Sequence, residues 1–163
     1  MKKGLIAKIV GLGASALTLI LMLMVKISVK VTYSAAGQSM SDKTKFKFME
    51  VVTNKDDMFD DMFFRTLVLF AFILVVIALI YFAVSVVLEV LGKKLPVAQA
   101  DLIGGAVIVL AAVILVLAQF FADKEKAMGM TLTIAIQTLS CIVTYVALLG
   151  GAGTIAAKVV LKD

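Results

Sequence analysis

The chain has no histidine and no tryptophan, and it has one cysteine, one proline and one arginine. Without histidine there is no Ser-His-Asp triad, no Cys-His nucleophile and no imidazole metal site. The single thiol, Cys141, excludes a disulfide within the chain. We therefore expect a protein that is not an enzyme and that binds neither a metal ion nor a cofactor.

Charge is also scarce. Charged residues make up 17% of the chain and apolar residues 63%, whereas globular proteins average about 25% and about 45–50%. A mean hydropathy of +1.12 predicts an integral membrane protein that lies in a lipid bilayer. The net charge of +5 comes from 15 lysines and one arginine, and no basic run is interleaved with aromatics, so we expect no nucleic-acid partner. The preference for lysine favours a bacterial source with an AT-rich genome.

Long apolar runs recur along the chain. Residues 66–88 are 23 uncharged residues without proline or glycine, and a helix needs about 20 such residues to cross a bilayer core about 30 Å thick. A buried helix of a soluble protein is usually shorter than this run. We predict one integral membrane domain, residues 1–163, with four spanning helices. They cover about residues 5–29, 64–91, 100–122 and 130–152.

The first of these spans has two interpretations. Its basic start, apolar centre and small residues after the span are also typical of a cleaved signal peptide. However, the apolar run is long, and Lys26 and Lys30 follow it. We therefore predict an uncleaved anchor helix.

The hydrophilic stretch of about residues 31–62 begins within a strand pattern. Apolar and polar residues alternate from Ile27 to Tyr33 and again around Phe46 and Phe48, with turn-forming residues between the two runs. The predicted fold is therefore an all-α membrane protein, a four-helix bundle with a small extracellular β-hairpin between helices 1 and 2. An isolated hairpin is only marginally stable in water. It must rest on a neighbouring subunit, a partner or the membrane surface.

Four aspartates precede the second span in pairs that alternate with apolar pairs. They are Asp56, Asp57, Asp60 and Asp61. Asn54, two residues before the first aspartate, has the position of an N-cap of the second helix. The aspartates either interact with the helix dipole, with Asp61 paired to Arg65, or form an extracellular acidic patch that attracts Ca²⁺ or a basic partner. Their spacing is not that of an EF-hand loop, so no metal site is predicted.

Four spans place both termini on one side of the membrane. That side carries seven lysines against three acidic residues, a net charge of +4, and the other side nine basic against eight acidic residues, a net charge of +1. The positive excess in the short connections predicts that both termini are cytoplasmic and that the protein is a multi-pass protein of the cell membrane.

Each span carries a face of small residues. Small faces let membrane helices approach closely, and a repeat of seven favours left-handed packing. We expect these residues to form the helix contacts of the bundle. They are Gly11, Ser15, Ala78, Ser85, Gly105 and Ala112.

The fourth predicted span is the most polar one. With Gln119 of the third span, its polar residues either hydrogen-bond between helices or line a pore. They are Thr133, Gln137, Ser140 and Thr144. No charge lies near the middle of a span, which argues against a proton-coupled pump. The alternative function is therefore an oligomeric channel or small transporter lined by this face.

The layout of four spans, cytoplasmic termini, a larger first outer loop with strand pattern and a short inner turn resembles that of claudin-type tetraspan proteins. The resemblance covers the architecture alone, because the chain has no tryptophan and no cysteine pair in the first outer loop. It implies that such a layout can serve lateral assembly through an outer sheet. Together with the small helix faces and the absence of catalytic groups, it favours a non-enzymatic subunit that forms a homo-oligomer or joins a membrane-protein partner.

Overall fold

A computed structural model of the chain describes residues 3–54, 59, 62–93, 100–127, 129–139 and 141–161. Within these residues, five helices and four strands follow each other. They are α1 (Lys3–Met24), β1 (Lys26–Ala35), β2 (Gln38–Lys47), α2 (Phe48–Thr53), α3 (Phe63–Val90), α4 (Ala100–Ala118), β3 (Asp123–Ala127), β4 (Met130–Gln137) and α5 (Ile142–Val160).

Four of the helices are long and apolar enough to cross a membrane, which confirms that part of the predicted fold. The segments able to span a membrane are 21, 28, 18 and 19 residues long in α1, α3, α4 and α5, and about 20 residues suffice for a bilayer core. α1 packs against α3 and α5, and α4 packs against the same two helices. The bundle is therefore a ring in the order α1, α3, α4, α5.

The chain forms more β-structure than the sequence predicted. The four strands make one antiparallel sheet in the order β2-β1-β4-β3, so the predicted hairpin is only one half of it. The second hairpin, β3-β4, lies between α4 and α5. The description as an all-α protein with a single hairpin is thus incomplete, because both connections at the sheet end of the bundle contribute strands.

Four predicted span limits were wrong. α4 ends at Ala118 rather than near residue 122, and α5 ends at Val160 rather than near residue 152. α1 ends at Met24 rather than near residue 29, and α5 begins at Ile142 rather than near residue 130. The residues concerned, 26–29 and 130–137, alternate between apolar and polar side chains, which matches the period of a strand and not that of a helix. The chain passes from α1 into β1 through one residue, Val25, whose carbonyl accepts a hydrogen bond from the amide of Phe48 (3.2 Å).

The short helix α2 supports the sheet. Glu50 accepts a hydrogen bond from the amide of Lys47 (2.7 Å) at its start, and Phe48, Val51 and Val52 are buried. Asn54 ends α2 in a left-handed conformation (φ 51°).

The prediction that Asn54 begins the next helix was therefore wrong. Its Oδ1 accepts a hydrogen bond from the amide of Phe59 (2.7 Å). The ring of Phe59 contacts those of Phe46 and Phe64 edge-on, at centroid distances of 5.2 and 5.9 Å. An aromatic column therefore joins the sheet to the first turn of α3.

The other end of the bundle is packed around one ring. Phe82 is fully buried in a cluster with Ala78, Ile108, Ala112 and Ala147, which come from α3, α4 and α5. Small side chains around one large ring let the helices approach closely.

Candidate functional site

The register of the sheet separates its residues into two unlike faces. Successive side chains of a strand point to opposite faces, and every strand pair has a defined register. We call the face that contains Ile27, Val29 and Ile136 the helix-side face, because these residues are buried in the core cluster shared with the helices. We call the opposite face the lysine face.

The helix-side face changes character along its length. Ile27, Val29 and Ile136, near the bundle, are at most 1% exposed. At the distal end Tyr33, Met40 and Met130 are 53%, 79% and 54% exposed.

These distal residues are neighbours. Tyr33 of β1 lies opposite Met40 of β2 and Leu132 of β4, and Ala35 lies opposite Met130. We call Tyr33, Met40, Met130 and Leu132 the distal apolar patch. A shallow depression of about 320 Å³ lies beside this patch, between the two hairpin turns.

The lysine face concentrates one sign of charge. By register it carries Lys26, Lys30, Lys43, Lys45, Lys47, Lys124 and Lys126. Two pairs lie directly opposite each other, Lys26 with Lys47 and Lys30 with Lys43. The other positions of this face are Ser, Thr and Gln, apart from Ala135. None of its strand residues is acidic or aromatic, and within the described ranges none of its lysines is in a salt bridge.

The polar residues predicted to line one face of the fourth helix do not do so. Thr133 and Gln137 lie on β4, and Thr144 lies on α5, where its Oγ1 donates a hydrogen bond to the carbonyl of Thr138 (2.9 Å). Gln119 follows the end of α4, and its Oε1 accepts a hydrogen bond from the amide of Leu139 (2.9 Å).

Ser140 of that set lies outside the described residues. The prediction of a polar face on the fourth helix was wrong, because the helical spacing was counted through residues that form β4. The channel hypothesis relied on that face as the lining of the pore.

The six small residues predicted to pack the helices are all buried. A Cβ atom on Gly11 would overlap the ring of Phe82, and one on Gly105 would lie 2.8 Å from the side chain of Ile155. Ser15 donates a hydrogen bond to the carbonyl of Gly11 (2.9 Å). Ala78 of α3 and Ala112 of α4 pack in the cluster around Phe82. Ser85 is also on α3 and is fully buried.

At the end of the bundle where α1 begins and α5 ends, charged side chains join neighbouring helices. Lys8 of α1 pairs with Glu89 of α3 (2.8 Å), and Asp101 of α4 pairs with Lys158 of α5 (3.3 Å). The hydroxyl of Tyr81 on α3 donates a hydrogen bond to Asp101 (3.2 Å). The sequence places all four charges near span ends on one side, but it does not show which helices are neighbours.

Two further predicted features carry no site. Asp56, Asp57, Asp60 and Asp61 lie outside the described residues, so the acidic patch stays a prediction. Cys141, which falls in the middle of the predicted span of about residues 130–152, is instead the N-cap of α5, where burial raises the pKa of its thiol. Within the described ranges, no three His, Cys, Asp or Glu side chains form a group that could hold a metal ion.

These features define a class of protein: four helices able to cross a membrane, with a four-stranded antiparallel sheet at one end of the bundle. No protein-family model matches the chain, and no curated protein sequence matches it.

Proposed function

We propose that this protein is a non-enzymatic subunit of a membrane assembly and that it binds a second copy of itself or another membrane protein through the distal apolar patch. The observation that carries the proposal is the exposure of Tyr33, Met40 and Met130 beyond the ends of the spanning helices. Large apolar side chains on the outside of a spanning helix contact lipid. The exposed apolar side chains of the sheet lie beyond the helix ends, where no lipid chains cover them.

The chemistry of the patch supports a protein partner. Contiguous exposed apolar side chains outside a membrane mark interaction sites, and Tyr and Met are enriched at protein interfaces. The edge strand β2 is protected by Lys43, Lys45 and Lys47, since charged side chains discourage edge-to-edge pairing. The contact is therefore made by the face of the sheet and not by its edge.

The bundle supports a structural role. Small residues and the ring of Phe82 fill the space between its helices, and the polar residues expected to line a channel lie partly on β4. In our proposal the protein lies in the cell membrane with cytoplasmic termini, and the sheet is extracellular.

The proposal is tested with Met40→Asp, which places a charge in the patch. Ser41→Asp is the matched control, because Ser41 is the next residue of the same strand and lies on the opposite face. After gentle extraction, native mass spectrometry should show the natural chain in a complex heavier than the monomer.

The complex should be lost in Met40→Asp and retained in Ser41→Asp, with unchanged circular dichroism in both. A monomeric natural chain, or an intact complex in Met40→Asp, contradicts the proposal.

A further inference from the structure

We propose that the lysine face is a binding surface for an acidic polysaccharide, a linear chain of carboxylated sugars. This inference goes beyond assembly, because it concerns the opposite face of the sheet and a partner of different chemistry. It shares with the proposed function only the extracellular position of the sheet.

The segregation of charge is the first step. Alternation alone places polar residues of either sign on the outer face of a sheet. Here the seven lysines share one face, while Asp42 and Asp123 occupy the other by register. Like charges directly opposite each other on adjacent strands are destabilising, and Lys26 lies opposite Lys47. An anionic partner that spans several strands offsets this repulsion.

The residue types select the kind of anion. Lysine acts as a hydrated point charge, whereas arginine gives the planar, bidentate recognition of single phosphate or carboxylate groups, and this face has no arginine. It has no aromatic ring on which nucleic-acid bases could stack. It also lacks the Trp, Tyr and Arg anchors that dominate protein interfaces. The lysine face therefore offers positive charges interleaved with Ser and Thr hydroxyls. These groups suit a hydrated polyanion that is rich in hydroxyls.

The spacing fits an extended chain. β1 and β2 are each 10 residues long, about 33 Å at about 3.3 Å per residue. Lys43, Lys45 and Lys47 follow each other at every second position of β2, about 7 Å apart. A polyanion lying along β2 meets three lysines there and those of β1 beside them.

The test measures binding of sodium alginate, a polyuronate, to the full chain in phosphatidylcholine nanodiscs. Neutral dextran, polyglutamate and phosphatidylserine vesicles are the comparison probes. Alginate should bind best, dextran should not bind, and the affinity for alginate should fall steeply as salt is raised, since salt screens exposed charges. Stronger lysine-dependent binding of polyglutamate or of the vesicles overturns the assignment to a polysaccharide.

Variants locate the surface. Lys43→Gln with Lys45→Gln should weaken alginate binding at least about tenfold, because a surface lysine contributes about fivefold in affinity to an anionic surface. Lys93→Gln is the control for the single variant Lys45→Gln, because each removes one positive charge. Lys93 lies at the other end of the molecule, so Lys93→Gln should leave the affinity for alginate unchanged. Equal binding by the natural chain and the double variant overturns the proposal. The mass of the complex is measured without polymer, so failure of one proposal does not entail failure of the other.

Discussion

At the scale of single residues, Phe82 determines how closely α1 and α4 approach α3. Its ring is fully buried, and a Cβ atom on Gly104 would lie 2.7 Å from it, while one on Gly11 would overlap it. The glycines are required here for space, because no side chain fits between the helix backbones and the ring. The sequence shows glycines in the spans, but only the structure shows which of them face an aromatic ring.

Gly11→Leu should therefore destabilise the bundle. Added atoms in a packed interior typically cost about 1–3 kcal/mol, which should appear as a lower midpoint of thermal unfolding in detergent. Gly13→Leu is the control, because a Cβ atom on Gly13 meets nothing within 4 Å. If both variants unfold at the same temperature, the close contact between Gly11 and Phe82 does not exist.

At the scale of elements, the ion pairs connect neighbours in the ring of helices. The Lys8 and Glu89 side chains are 12% and 14% exposed, and those of Lys158 and Asp101 are 34% and 7% exposed. The first pair joins α1 to α3, and the second joins α4 to α5. Partly buried charges interact more strongly than exposed ones, because water screens them less.

A double-mutant cycle measures the first contact. Lys8→Gln, Glu89→Gln and the double variant should give a coupling free energy of about 0.5–3 kcal/mol for unfolding, the range that is usual for residues in direct contact. The same cycle for Lys8 and Asp101 is the control. These residues belong to different ion pairs, so the effects of their substitutions should be additive. Additive effects for Lys8 and Glu89 would show that α1 and α3 are not joined here.

The sequence predicts elements well where one signal is dominant. The 23 uncharged residues of 66–88 lie wholly within α3, and the alternation around Val29 correctly indicates β1. β4 was missed because all residues from Met130 to Gln137 are uncharged, so a count of uncharged residues extends the span through them. Their period of two, with β-branched Thr131 and Thr133, is the signal that identifies a strand.

The alternation predicts two unlike sides for β1 and for β2, but the sequence does not show how the four strands combine into the two faces of one sheet. Whether the lysines of β2 lie on the same face as those of β1 depends on the register of the hairpin, which pairs Lys26 with Lys47. The contribution of Lys124 and Lys126 depends in addition on the pairing of β4 with β1. Both are tertiary features, and a shift of one residue in a register moves every side chain to the other face.

At the scale of the whole molecule, the protein consists of a packed bundle with a sheet at one end, and the two faces of the sheet differ in chemistry.

The proposed orientation places this sheet outside the cell. It is tested by labelling with a membrane-impermeant maleimide in a Cys141→Ala background. Ser39→Cys, at the exposed start of β2, should be labelled in intact cells, and Lys93→Cys only after permeabilisation. The reverse pattern contradicts the orientation.

In our proposal the distal apolar patch contacts another membrane protein. A photo-activatable cross-linker at position 40, in intact membranes, reports the immediate neighbour of the patch. We expect a cross-linked product of protein mass that is strong at position 40 and weak at position 41 on the opposite face. Cross-links to lipid alone, or equal yields at the two positions, would contradict it.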